Sequence, residues 1–134
     1  MIYSISGGVS QHLNNYGTIA YTVSTSYKYD VIRDQWSSMA GLDDHRLDAA
    51  ACVLDGKIYV AGGNKITASG TIPNITIAYQ PLSTVRAYDM STGKWSTVPS
   101  LNHISGNLAL VDLGGELYAI SVERGNKSVE KFDG

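Results

Sequence analysis

Charge is scarce in this chain. Asp, Glu, Lys and Arg make up 16% of its 134 residues, ten basic side chains against twelve acidic ones, with no block of one sign. That balance excludes the basic footprint with which a nucleic-acid binder meets phosphates. Long apolar runs are lacking as well: the longest, Ala49 to Leu54, falls far short of the ~20 residues that cross a bilayer. The opening MIYSIS has neither the basic region nor the apolar segment of a signal peptide. These absences predict a soluble, cytoplasmic protein with no nucleic-acid or membrane partner. A single cysteine, Cys52, excludes an internal disulfide, and its place within AAACVL predicts a small packed apolar residue. No segment sustains a helical period, so strands and turns must carry the fold. Length sets the scale: a chain of one ordinary domain can bury roughly two-thirds of its unfolded surface.

Internal repetition is what the chain does have. GKIYVAGG at residues 56–63 is followed by a long polar segment, then VRAYDMSTGKW and VPSL. An earlier copy places Tyr29, Asp30 and Trp36 each 59 residues before Tyr88, Asp89 and Trp95, and Tyr3 stands 56 residues before Tyr59. A third copy puts Tyr118 59 residues after Tyr59 and ends on Phe132 and Asp133, 44 residues after Tyr88 and Asp89. Asp to Trp spans six residues in both complete copies, so length variation is confined to one connection.

Each copy reads as four short strands, a to d. AAACVL and NLALVDL carry apolar residues on both faces, which predicts strands a covered on both sides. Asp55-Gly56 and Gly114-Gly115 supply the positive φ of tight hairpins into the b strands KIYVA and ELYAI. VRAYD, TSYKYD and VEKFD are the c strands, and Gly93 and Asp34 tolerate left-handed geometry in the turns to strands d around Trp95 and Trp36. Residues 64–83 form a loop or a loop-borne hairpin. Gly62-Gly63 closes strand b where the chain needs unusual dihedrals and no Cβ; a phosphate cradle would need a following helix and a Lys-Ser/Thr element, and neither is present. Where Ser6-Gly7 and Ser121-Val122 replace the glycine pair, strand b is expected to turn less sharply. The two tryptophans are expected to fill space between sheets.

This ordered set, with Gly62-Gly63, Tyr88-Asp89 and Trp95 echoed at Tyr29, Asp30, Trp36, Phe132 and Asp133, resembles the kelch repeat family over nearly the whole chain. The resemblance implies an all-β fold: an incomplete kelch β-propeller, one full four-stranded blade flanked by two partial blades. Residues 1–134 are then a single partial propeller with copies at roughly 1–38, 45–97 and 103–134. The first copy lacks strand a, and the third stops before the Trp due near position 139. The chain is therefore expected to be a fragment of a larger propeller; self-association covering the open blade flanks is the competing expectation.

Function is expected in the connections, because the strands are committed to packing. In a four-stranded meander the b-to-c and d-to-a connections share one face. Candidate partner contacts there are Asp44, His45 and Arg46 in MAGLDDHR, Asn102 and His103 in PSLNH, and Asn64, Lys65, Glu123 and Arg124 in the b-to-c segments. In kelch substrate receptors, arginines at the place of Arg46 contact acidic peptides, so resemblance implies a ligand contact. A local salt bridge with Asp43, Asp44 or Asp48 is the other reading of Arg46. His45 and His103 follow their tryptophans by nine and eight residues, which repetition explains without a metal. No nucleophile arrangement is recognisable, so no catalytic residue, metal or cofactor is assigned. Asn74 and Asn126 match the glycosylation pattern, by chance in a chain without a secretory signal. The resemblance implies a protein-interaction module similar to the substrate-recruiting domains of cullin-dependent ubiquitin ligase adaptors. An actin-binding kelch protein and a fragment of a kelch-propeller enzyme, similar to a sialic-acid epimerase or galactose oxidase, are the alternatives.

Overall fold

The structure is a computed structural model. It describes the chain except residues 13–17, 72–73, 104, 124 and 133–134, and gives backbone alone at 8–12, 18–23, 71, 122–123 and 126. All described elements are antiparallel β-strands: β1 (Ile2–His12), β2 (Thr18–Asp30), β3 (Gln35–Met39), β4 (Ala50–Leu54), β5 (Lys57–Ala61), β6 (Asn64–Thr71), β7 (Asn74–Pro81), β8 (Val85–Asp89), β9 (Lys94–Val98), β10 (Leu108–Asp112), β11 (Leu117–Glu123) and β12 (Asn126–Lys131). No helix among the described residues is long and apolar enough to cross a membrane. The strands divide into two compact units, Met1–Leu47 with Lys65–Gln80, and Asp48–Asn64 with Pro81–Gly134.

The second unit holds the complete repeat. Its four-stranded sheet runs β4-β5-β8-β9, the a-b-c-d order expected, and a three-stranded sheet β10-β11-β12 supplies a, b and c of the next copy. Both a-to-b turns use the positive φ that their sequences permit: Asp55 at 47° and Gly56 at 72°, Gly114 at 66° and Gly115 at 83°. Burial concentrates on the inner strands and reaches both of their faces, with Ala61, Val85 and Ala87 on one and Ile58, Val60 and Tyr88 on the other. One face of the four-stranded sheet meets the next sheet through Ala61, Val85, Leu101 and Ala119, with Tyr59, Val98, Leu108, Leu110 and Phe132 around them. Tyr59 and Phe132 meet edge to face at 5.7 Å. Each fully buried Val or Leu here contributes roughly 1.5–3 kcal/mol.

Gly62 shows why strand b ends on glycine. Its φ is +62°, and a Cβ at this position would lie 2.0 Å from Leu108 Cδ2 and 2.8 Å from Ser105 O. Backbone of one sheet thus touches a side chain of the next, and only a residue without Cβ fits.

The first unit contains the sheet β1-β2-β3, equivalent to b, c and d of a copy. Ser6 at φ 56° forms a bulge with a register shift between Ile5 and Gly7, after which β1 continues along β2 to the pair His12 and Thr18. The milder turn expected at Ser6-Gly7 is therefore an extended hairpin. Residues 64–81 form a second hairpin, the two-stranded sheet β6-β7, which settles the choice between loop and hairpin.

The Tyr-Asp and Trp signature is a local device at the c-to-d turn. Tyr88 stands opposite Trp95 in register and Tyr29 opposite Trp36. The rings pack at 5.1 Å and 5.0 Å between centroids. Asp89 Oδ1 accepts hydrogen bonds from the Ser91 and Thr92 amides at 2.8 and 3.0 Å, and Asp30 Oδ1 from those of Ile32 and Arg33 at 2.9 and 3.2 Å. Gly93 and Asp34 adopt the left-handed geometry expected, at φ 70° and 53°. Asp133 lies outside the described residues.

Three packing expectations are corrected. Trp36 is 61% exposed and so does not fill a space between sheets, and Trp95 is half-buried; each ring packs at a tilt, 41° and 52°, on its cross-strand tyrosine. Strands a are covered on one side, leaving Val53 and Val111 exposed, since β4 and β10 alternate half-buried and exposed positions. Cys52 falls on the half-buried face of β4, opposite Tyr59, and is a free thiol rather than a core residue.

Candidate functional site

In the second unit the connection from β9 to β10, residues 99–107, is held at three depths. Leu101 is buried, and its amide donates to Ser83 O at 2.9 Å. Ser105, also buried, donates to Asn107 O at 2.8 Å and lies 2.7 Å from the Ser121 hydroxyl. Between them Glu130 of β12 grips the exposed tip. Its Oε1 accepts from the Asn102 backbone N–H at 2.6 Å and from Asn102 Nδ2 at 2.7 Å. Its Oε2 accepts from the His103 amide at 3.4 Å and faces His103 Nδ1 at the same distance. Burial pushes the Glu130 carboxyl upward, but the bonds from Asn102 and His103 outweigh it and hold the group below its ordinary range. The imidazole itself is 68% exposed. Leu101, His103, Ser105, Leu108, Ser121 and Glu130 line a small cleft beneath the tip.

Asn64 lies at the same end of this unit, its Nδ2 donating to Gly106 O at 3.2 Å. Asn64, Asn102 and His103 are thus brought together on one rim. The β11-β12 connection is a tight hairpin, with Glu123 paired to Asn126 across Gly125 at φ 86°. Glu123 is therefore a strand-end residue rather than a loop residue, and Arg124 lies outside the described residues. Asn64 and Lys65 likewise open β6 instead of sitting in a loop, and Lys65 is exposed. Alternating Thr, Ser and Ile in this polar stretch satisfy their backbone by cross-strand pairing.

In the first unit Arg46 is 1% exposed. Its guanidinium is paired with Asp44, and its backbone exchanges bonds with the Ser6 hydroxyl, which donates to Arg46 O at 2.9 Å and accepts from Arg46 N at 3.3 Å. The local ion pair is thus present in a buried setting; His45 beside Arg46 is exposed, and the Asp44 side chain is 21% exposed. Among the described residues no group of three or more His, Cys, Asp or Glu could hold a metal ion.

Sequence reasoning missed Glu130. It lies 28 residues from Asn102, inside a strand, with no local motif to mark it. The one available signal was a lone acidic side chain on the half-buried face of a c strand, which requires a partner.

Comparison with known proteins agrees with this geometry. The Kelch motif family matches residues 70–102. The chain is similar to Kelch-like protein 28 of Homo sapiens, 36% identical over 87 residues, covering 65% of this chain and 14% of that protein. An F-box/kelch-repeat protein of Arabidopsis thaliana is 28% identical over 94 residues, covering 70% of this chain and 22% of that protein. The chain thus spans only 14% and 22% of the length of these two relatives. Among solved structures, that of YjhT superposes with a TM-score of 0.54 at 18% identity, over 87% of this chain and 34% of that one. That likeness concerns the fold alone. With repeat spacing, the a-b-c-d sheet and these similarities in agreement, the chain belongs to the kelch repeat family.

Proposed function

We propose that the chain is a protein-interaction module whose b-to-c and d-to-a connections contact the partner. On this reading it is the substrate-recognition part of a ubiquitin ligase adaptor, and part of a larger propeller. The observation that carries the reading is the Glu130 clasp: one carboxylate fixes the backbone at Asn102 and His103, while the imidazole is left exposed. Surface loops fixed in this way lose little conformational entropy when they bind. Names among the relatives, Kelch-like and F-box/kelch-repeat, support an adaptor context.

Affinity capture from cell extract tests the reading, with the chain as bait and Asn64→Ala, Asn102→Ala and His103→Ala as variants. Partners should be lost with these substitutions and kept with Thr92→Ala in the β8-β9 turn at the opposite end of the sheet. Capture that is indifferent to all three rim positions, or that depends on Thr92, contradicts it.

A further inference from the structure

The β6-β7 hairpin carries a feature that packing does not explain. From Ile66 to Val85 the sequence has no Asp, Glu, Lys or Arg, although Lys65 and Arg86 stand immediately outside. The two strands form a sheet of their own, with no third strand bonded to it among the described residues. Sheet edges in water usually carry a charged side chain or a mid-strand proline that discourages further pairing. In β7 the only proline is its last residue, Pro81.

The two strands are not equivalent. β6 is committed at its root, where Asn64 bonds to Gly106 O and Ile66 is buried. Along β7, which has no second neighbouring strand among the described residues, Asn74, Thr76, Ala78, Tyr79, Gln80 and Pro81 are exposed, and Ile75 and Ile77 are half-buried. Tyr79 is 61% exposed. An edge of this kind offers main-chain donors and acceptors for affinity and a mixed Ile and Tyr surface for alternate side chains of an added strand. Without charge it has nothing to attract a phosphate or an acidic peptide, and nothing to repel an apolar one.

We propose that the open edge of β7 is a strand-addition site, which takes an extended, uncharged, β-branched segment of a partner protein. The proposal rests on the protein-interaction reading above and names the chemistry of the partner.

The test uses the full chain, isotopically labelled, and short capped peptides alternating Thr and Val. A matched peptide carries methyl groups on alternate backbone nitrogens, and a third carries Lys and Glu in place of some Thr. The Thr/Val peptide should slow amide exchange at Ile75 to Tyr79. By fluorescence anisotropy it should bind at least about tenfold more tightly than the methylated one, which keeps its side chains but loses donors. The Lys/Glu peptide should also be weaker, and Thr76→Lys in the chain should weaken the Thr/Val peptide by about tenfold while the far-ultraviolet spectrum stays unchanged. Equal binding of the methylated peptide, protection appearing elsewhere, or no binding at millimolar peptide overturns the proposal. Protection that rises with protein concentration alone assigns the edge to a second copy and also overturns it. If partner capture depends on Asn102 and His103 while these peptides are inert, strand addition alone fails; if capture is also indifferent to them, the rim reading fails with it.

Discussion

Replacing Gly62 with alanine tests how strand b is joined to the next sheet. Two costs are added by one methyl group. The left-handed φ of +62° costs a residue with Cβ roughly 1–2 kcal/mol. The methyl would also stand 2.0 Å from Leu108 Cδ2 and 2.8 Å from a backbone carbonyl, so Leu108 must leave its rotamer or the sheets must part. Overpacking of this kind costs about 1–3 kcal/mol. Gly62→Ala should therefore destabilise the chain by about 2–5 kcal/mol. Gly56→Ala is the control, because Gly56 has φ +72° and a methyl added there would meet nothing within 4 Å. It carries the backbone cost alone, roughly 1–2 kcal/mol. Urea denaturation resolves the difference: with slopes of about 1–3 kcal/mol/M, each 2 kcal/mol moves the midpoint by about 1 M. Leu108→Ala in the Gly62→Ala background removes the side-chain part of the clash and leaves the approach to Ser105 O, so the double variant should be more stable than the summed single effects by about 1–2 kcal/mol. Equal midpoints for Gly62→Ala and Gly56→Ala, or strict additivity with Leu108→Ala, would refute the close approach.

Other outcomes follow from the same structure. Glu130→Gln should cost about 1–2 kcal/mol and speed amide exchange at Asn102 and His103, because hydrogen bonds to a charged acceptor are replaced by weaker ones. Since the folded Glu130 carboxyl lies below its ordinary value of 4.5, the clasp should be fully stabilising above that pH and be lost as pH falls through the lower folded value; proton titration by NMR checks the direction. Asp89 is held low first by the Ser91 hydroxyl and then by the Thr92 and Ser91 amides, so its contribution is likewise lost on acidification, and Asp89→Ala should raise exchange at Ser91 and Thr92. Arg46→Met should destabilise the chain by about 2–4 kcal/mol, as loss of a buried ion-pair partner does, and lower its urea midpoint.

Much of the architecture was legible because the repeat unit writes its turns into sequence. Asp-Gly and Gly-Gly mark a-to-b hairpins, and the six-residue step from Asp to Trp fixes both the Asp cap and the Tyr-Trp cross-strand pair. These are local interactions, and local interactions leave spacing behind. What spacing could not give was depth. Trp36 and Trp95 were recognisable as repeat residues, yet how deeply each indole is covered depends on tertiary neighbours that spacing does not record. Arg46 was legible as either a ligand contact or an ion-pair partner, and only tertiary structure could show its burial beside Asp44. Glu130 was invisible because its partners lie a loop and two strands away. The β6-β7 hairpin was one of two readings of residues 64–83, loop or hairpin, left open because Ser, Thr and Asn signal turns in sequence, while in pairs across a ladder they also form strands.

Nuclear Overhauser contacts between aromatic and methyl protons probe whether the complete four-stranded sheet packs face to face on the next. Contacts are expected from the Tyr59 ring to the Phe132 ring and from Ala61 and Leu101 to Ala119. Their absence, with contacts from Ala119 to the Ile58 and Tyr88 face instead, would contradict the stacking on which the rim and its clasp depend.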